Sequence, residues 1–202
     1  MIDLAAHLVP PDVPETVYLG LGGNLGDRLN YLRRGLFALL AHPEIRVEAF
    51  SRVWESEYVG PGQQRPYLNA CCRGRTSLAP SALLAVLKGL EQRLGREPEG
   101  HLRPRPLDLD ILLFGDRCGA DARLTLPHPR LVQRGFVLAP LAELAPELVL
   151  PDSGETIASA WARLQRRPGG PWLRPWPEGF LDPVAPAADE EGWRAALAVH
   201  CR

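Results

Sequence analysis

Lysine is almost absent: all but one of the 23 basic residues are arginines, the exception being Lys88. That skew reads as a compositional bias of the source, so no single arginine is evidence of a site by itself. Charge excess is missing too. A net charge of -1 gives no general attraction to nucleic acid or acidic membranes, so any anion site must be local and the partner a small molecule. Cysteine is scarce. Cys71, Cys72, Cys118 and Cys201 show no C-x-x-C spacing and no nearby histidine pair, which excludes a zinc site or disulfide framework and fits a reducing cytoplasm. No apolar run approaches the roughly 20 residues of a membrane span. The start, "MIDLAAHLVPPDVPET", has acids and prolines where a secretion signal has basic and then apolar residues. A soluble, non-secreted protein is expected.

What is present suits one domain: 202 residues, 46% hydrophobic. Prolines 10, 11 and 14 make residues 1–15 a loose, flexible arm. "TVYLGLGGN" predicts a strand, and "GDRLNYLRRGLFALLAHP" a helix capped by Asp27. "IRVEAFSRVWES" and "PYLNACCRGRTS" predict two strands around the loop "YVGPGQQRP". "LAPSALLAVLKGLEQRLG" predicts a helix with Pro80 in its first turn and Gly95 at its end. "LDLDILLFG" is a buried strand, charged at one end. The order β-α-β-β-α-β is that of a ferredoxin-like α+β fold with an antiparallel sheet. Two further helices are expected in "FVLAPLAELAP" and "TIASAWARLQRR", completing a domain over 16–167. The Pro- and Gly-rich extension 168–202 is expected to be mostly irregular, closing with a short helix from Trp193 to Val199.

Chemistry concentrates in "RPRPLDLDILLFGD". Alternate strand residues share a face, so Asp108 and Asp110 project together, about 7 Å apart at Cα, while Leu107, Leu109 and Ile111 turn to the core. Two like charges beside a buried strand need cationic compensation. Magnesium with a nucleotide phosphate is the economical candidate. Arg96, Arg103 and Arg105 precede the strand and Arg123, His128, Arg130 and Arg134 follow it, which matches the needs of phosphoryl transfer. The alternative is ordinary salt bridging to Glu97, Glu99 or Asp116. "GLGGNLGD" fails as a nucleotide loop: the third position of G-x-G-x-x-G is Leu25, and no Gly-Lys-Ser/Thr follows. It reads as a tight turn. His128 between two prolines is either structural or a phosphate contact. Cys71 and Cys72 read as core and surface neighbours. Trp54, Tyr67 and Phe136 are either core or a stacking slot for a flat heterocycle.

In order, "YLGLGGNLGDR", "GPGQQRPYLNA", "SLAPSALL...LEQRLGR", "PRPLDLDILLFGD", "LTLPHPRLVQRGFVLAPLAELAPEL" and "PDSG" resemble the 6-hydroxymethyl-7,8-dihydropterin pyrophosphokinase family of folate synthesis, over roughly 17–157. The resemblance implies transfer of the β,γ-pyrophosphoryl unit of MgATP to the pterin hydroxymethyl group. It implies that Asp108 and Asp110 hold two Mg²⁺ ions and that Arg96 and Arg105 contact the triphosphate and stabilise the transition state. Glu91, Arg123, Thr125, His128 and Arg134 match positions near ATP. Tyr67, Asn69 and Phe136 match on the pterin side, with Ser56 and Val59 a looser fit. The chain departs from the family where an arginine is replaced by Pro98 and Arg-Trp-Gly by His101-Leu102-Arg103. Leu102 cannot close over a pterin as an indole can, and Arg103 is the candidate to replace the lost charge.

The expectation is an ATP- and Mg²⁺-dependent pyrophosphokinase, cytoplasmic and monomeric, with other folate-pathway enzymes as possible contacts. The rival is a family member with weakened chemistry that acts as a nucleotide-binding or partner-docking module. A different metal-dependent phosphotransferase or nuclease is a third reading, disfavoured by the near-neutral charge.

Overall fold

The computed structural model describes residues 13–97 and 103–177. Pro98, His101, Leu102, most of the N-terminal arm and the helix expected at Trp193–Val199 lie outside the described residues. In chain order the elements are β1 (Glu15–Gly23), α1 (Arg28–Leu40), β2 (Ile45–Phe50), β3 (Trp54–Ser56), β4 (Tyr67–Thr76), α2 (Pro80–Arg93), β5 (Asp108–Phe114), β6 (Gly119–Ala120), β7 (Thr125–Leu126), α3 (Gly135–Leu144), α4 (Ile157–Gln165) and β8 (Leu173–Pro175). A single 3₁₀ turn, Leu131–Gln133, precedes α3.

Local chemistry explains the helix ends. The Asp27 carboxylate accepts the Asn30 backbone N–H at 3.1 Å and caps α1, while Thr156 caps α4 through Ser159 N–H at 3.2 Å. Pro80 opens α2, where its missing N–H costs nothing, and Gly95 follows its end at φ +93°.

The main sheet is antiparallel and runs β5-β1-β4-β3-β8, with β2 also paired to β4. The stretch expected as one strand, residues 45–56, is therefore broken. Between β2 and β3, Ser51 N–H donates to Cys71 C=O at 2.9 Å and Ser51 Oγ accepts Cys71 N–H at 3.0 Å, so a side chain replaces part of the ladder. Both faces of the sheet are covered. Leu19, Leu21, Leu68, Cys72, Leu109 and Ile111 join one core with α1 and α2; Tyr18, Cys71, Leu112 and Leu113 join a second with α3 and α4. Cys71 and Cys72 are thus both buried, one on each face, which corrects their reading as core and surface neighbours.

The extension is also more ordered at its start than its Pro/Gly content implies. Leu173, Arg174 and Pro175 pair with Ser56, Glu55 and Trp54, adding β8 to the outer edge of β3. No helix among the described residues is long and apolar enough to cross a membrane.

Candidate active site

The sheet register assembles the site. Gly22 of β1 lies between Asp108 of β5 and Asn69 of β4, and Gly20 between Asp110 and Cys71. Directly opposed residues of an antiparallel sheet project to one face, so β1 contributes a trough without side chains, flanked by the two aspartates and by Asn69. A Cβ on Gly22 would stand 3.1 Å from Asn69 Oδ1, which makes this the physical use of "GLGG". Asn69 is buried and its Nδ2 donates to Ser56 Oγ at 2.9 Å.

Because β5 is an edge strand, its outer backbone groups need partners. Helix α2 supplies them. Glu91 Oε1 accepts Leu109 N–H at 2.7 Å, and Lys88 Nζ donates to Leu109 C=O at 2.8 Å. The same two side chains continue into the charge cluster. Lys88 Nζ lies 2.7 Å from Glu91 Oε1, 3.5 Å from Asp110 Oδ1 and 3.9 Å from Asp108 Oδ1. Arg96 Nη1 donates to Glu91 Oε2 at 2.6 Å and also pairs with Asp108 Oδ1, while Arg105 Nη1 holds Asp108 Oδ2 at 3.0 Å. Arg96 and Arg105 therefore pair inward with Asp108, whereas Arg103 is exposed and its C=O accepts from Arg105 Nε at 3.4 Å.

Burial works to raise Asp108, but Arg105, Lys88 and Arg96 together outweigh it and hold the carboxyl below its ordinary value. Glu91 is only 1% exposed, and there burial prevails over Lys88 and pushes its carboxyl up. So buried an acid is closed to a ligand and acts through Lys88 and Arg96. Burial lowers Arg96, and Asp108 and Glu91 more than reverse it.

His128 and Arg134 face the same cluster from the segment after β7. Burial pulls His128 below its ordinary value, with Asp110 opposing and Arg134 and Arg130 reinforcing the shift. Its Nδ1 accepts Arg130 N–H at 3.2 Å, so the neutral ring carries its proton on Nε2. Burial, then Arg130, lower Arg134, while Asp110 and Asp108 act on it in the opposite sense. Thr125 lies on β7, which packs along β5. Arg123 is exposed at the β6–β7 turn, held by its backbone N–H on Asp121 Oδ1 at 2.7 Å.

Two cavities adjoin this core. One, of about 260 Å³, is lined by Leu25, Arg96, Arg103, Arg105 and neighbouring prolines. The other, of about 270 Å³, is lined by Ser56, Val59, Arg134 and Phe136 together with residues 167–173. The Arg134 guanidinium lies 5.4 Å from the centre of the Phe136 ring. Tyr67 stacks on Tyr58 with centroids 6.3 Å apart; burial raises its phenol, opposed first by Arg105. Trp54 instead hydrogen-bonds Glu143 through Nε1 at 3.1 Å.

Two residues escaped the sequence reading. Lys88 stands out in the sequence only as the lone lysine, and nothing local marks it as the partner of Leu109, Glu91 and Asp110. Asn24 is 1% exposed and joins three loops: its Oδ1 accepts Arg105 N–H at 2.9 Å and its Nδ2 donates to Gln64 Oε1 at 2.9 Å. Nothing in its spacing marked it.

The donor set fits magnesium in one way. Among the described residues no group of three or more His, Cys, Asp or Glu could enclose a metal. Asp108 and Asp110 are two hard oxygen donors on one face, with side chains 25% and 38% exposed, suited to an ion that completes its shell with phosphate and water.

The family model for 7,8-dihydro-6-hydroxymethylpterin-pyrophosphokinase matches residues 18–146. The chain is 43% identical over 155 residues to a 2-amino-4-hydroxy-6-hydroxymethyldihydropteridine pyrophosphokinase of Synechocystis, covering 75% of this chain and 79% of that one. It is 41% identical to the like-named Bacillus subtilis protein, covering 65% and 78%. Among solved structures, wild-type HPPK-DHPS of Plasmodium falciparum has a similar fold: TM-score 0.62 at 13% identity, over 80% of this chain. This chain spans only 46% of that longer protein. By the extent of the family match and the identity to these relatives, the chain belongs to the 7,8-dihydro-6-hydroxymethylpterin-pyrophosphokinase family.

Proposed function

We propose that this protein transfers the pyrophosphoryl group of ATP to the hydroxymethyl group of 6-hydroxymethyl-7,8-dihydropterin, a step of folate biosynthesis. The observation that carries the reading is the position of Arg134. It lines the aromatic cavity beside Phe136 and lies in the field of Asp108 and Asp110, so a heterocycle's binding slot and a polyphosphate site meet at one guanidinium. The sheet order β5-β1-β4, with β2 and β3 beyond, supports a ferredoxin-like βαββαβ core as the scaffold.

In the reaction the hydroxymethyl oxygen attacks the β-phosphorus in line, the bond from that phosphorus to the α,β-bridging oxygen breaks, and AMP leaves with that oxygen. Catalysis of this kind is mainly positioning and electrostatics. Asp108 and Asp110 would hold two magnesium ions. Bound there, magnesium would supply neutralisation of the charge on the phosphate groups. Arg96 and Arg105, now paired with Asp108, are placed to turn to the triphosphate, a bidentate match for guanidinium. Glu91 keeps Lys88 and Arg96 oriented. Neutral His128 offers its Nε2–H to a phosphate oxygen, while Thr125 and Arg123 border the nucleotide from the hairpin. On the other side Phe136 and Tyr67 offer ring faces, Asn69 and Ser56 polar contacts, and Val59 an apolar edge to the pterin.

The test is incubation of purified protein with MgATP and the pterin. AMP and the pterin diphosphate are the expected products. ADP in place of AMP identifies single phosphoryl transfer instead, and ATP binding without turnover makes the chain a binding module.

A further inference from the structure

The second cavity is only partly built by the family-matched region. Its other wall comes from the extension, through Pro171, Trp172 and Leu173. Phe136 and Trp172 are its two aromatic side chains and arrive from opposite directions in the chain. At about 270 Å³ the space lies just below the roughly 300–1,000 Å³ of drug-sized sites, which suits a small flat ring.

The wall is fastened in three ways. The β8 ladder pairs it to β3, directly beside Ser56. Arg174 donates to Glu55 Oε2 through Nε at 2.8 Å and Nη2 at 2.5 Å, and Glu55 is only 3% exposed. Trp176 N–H donates to Val53 C=O at 2.8 Å, and the Arg28 guanidinium lies 5.0 Å from the Trp176 ring. The approach to α3 is equally close: a Cβ on Gly135 would come within 2.5 Å of Pro171 Cβ and 3.0 Å of Leu173 Cδ1. Trp172 itself is 45% exposed, with the Arg174 guanidinium 5.4 Å from its ring, so an indole face remains open to a ligand.

We infer that the extension enlarges the pterin subsite beyond the face that Tyr67 and Phe136 supply, and that Trp172, lining the same cavity as Phe136, is a binding residue for a flat heterocycle. This rests on the proposed pyrophosphokinase reading. The extension is then part of the enzyme's substrate site and not an appendage to it.

The test uses the full chain with Trp172→Ala, Trp172→Phe and Gly135→Ala. Trp172→Ala should raise the KM for the pterin about tenfold, the scale of one lost aromatic contact, with kcat and the KM for ATP changed less than twofold. Trp172→Phe should recover most of the affinity. Gly135→Ala keeps the indole but drives a methyl group into Pro171, and should show the same pterin-selective loss. Pterin titrated without ATP should quench tryptophan emission less in Trp172→Phe than in the parent. A pterin KM within twofold of the parent in Trp172→Ala overturns the inference. So does an equal loss toward both substrates, which is the mark of a merely structural role. If the parent binds pterin but forms no AMP, the proposed reaction fails while the titration still decides the role of Trp172.

Discussion

Two glutamates of this protein are buried under two cations each, yet they respond in opposite directions. Glu91, between Lys88 and Arg96 at 2.7 and 2.6 Å, has its carboxyl pushed up by burial. Glu55 lies between Arg28 and Arg174 at 2.9 and 2.5 Å. Burial works to raise it too, but hydrogen bonds from Arg174 and Arg28 prevail and hold it below its ordinary value. Glu91 is the more deeply packed of the two, so burial decides its direction, and its cations are also shared. Lys88 and Arg96 also serve Asp108, and Lys88 reaches Asp110, so three acids draw on a common set. Arg28 and Arg174 have Glu55 as their carboxylate partner. A cluster whose cations are divided among several acids can exchange one partner for a phosphate or admit a metal. A closed clasp cannot, and it serves instead to hold a strand in place.

The strongest way to test that distinction is to remove charge from the shared cluster. Asp110→Asn should lower kcat by about 10²–10³-fold, the usual cost of losing one preorganised electrostatic group. Thermal stability should stay near that of the parent, since Asp110 is 38% exposed and its ion-pair partner Lys88 retains Glu91. Steady-state assays and a melting curve on the same sample check both halves; turnover near that of the parent would remove the metal site from the mechanism.

Lys88→Met should have the next largest effect, and it falls on both properties. The substitution keeps the apolar stem but leaves Leu109 C=O without its side-chain donor and Glu91 with Arg96 and the Leu109 N–H alone, costing about 1–3 kcal/mol of stability, read from the shift of the urea midpoint. Turnover should fall as well, because Asp108 and Asp110 lose a neighbouring charge. A loss of stability with unchanged kcat would show that Lys88 serves the strand edge alone.

The same contrast explains what the sequence disclosed. Helix starts, the Asp27 cap, the Gly95 stop and the shared face of Asp108 and Asp110 follow from short-range rules, and the structure has them all. Residues that act across long separations were not legible. Asn24 meets Gln64 and Arg105, 40 and 81 positions away, and Lys88 meets Asp110, 22 away, with no local pattern to mark either. β8 was hidden because Pro- and Gly-rich composition argues for irregular chain, and three residues are too few to show alternation. Only the exposed edge of β3 gives them a ladder to join. That both cysteines are buried, where one was expected at the surface, was missed for a related reason: whether a sheet is covered on one face or two depends on α3 and α4, more than 60 residues further along.

The smallest effect is expected at the closed clasp, where its sign is the informative part. A carboxyl with a lowered folded-state value contributes stability that is present above its unfolded value, about 4.5 for Glu55, and is lost as the pH falls through the folded value. Glu55→Gln should therefore be less stable than the parent at pH 7, by about 1 kcal/mol on the scale of one hydrogen-bonded partner. The gap between the two proteins should narrow on acidification below about pH 4.5, as the parent loses what the variant never had. Urea midpoints from pH 3 to pH 8 measure it. A gap that stays constant across that range would mean that Glu55 contributes packing and not charge, and the separation between a shared cluster and a closed clasp would then rest on the active-site side alone.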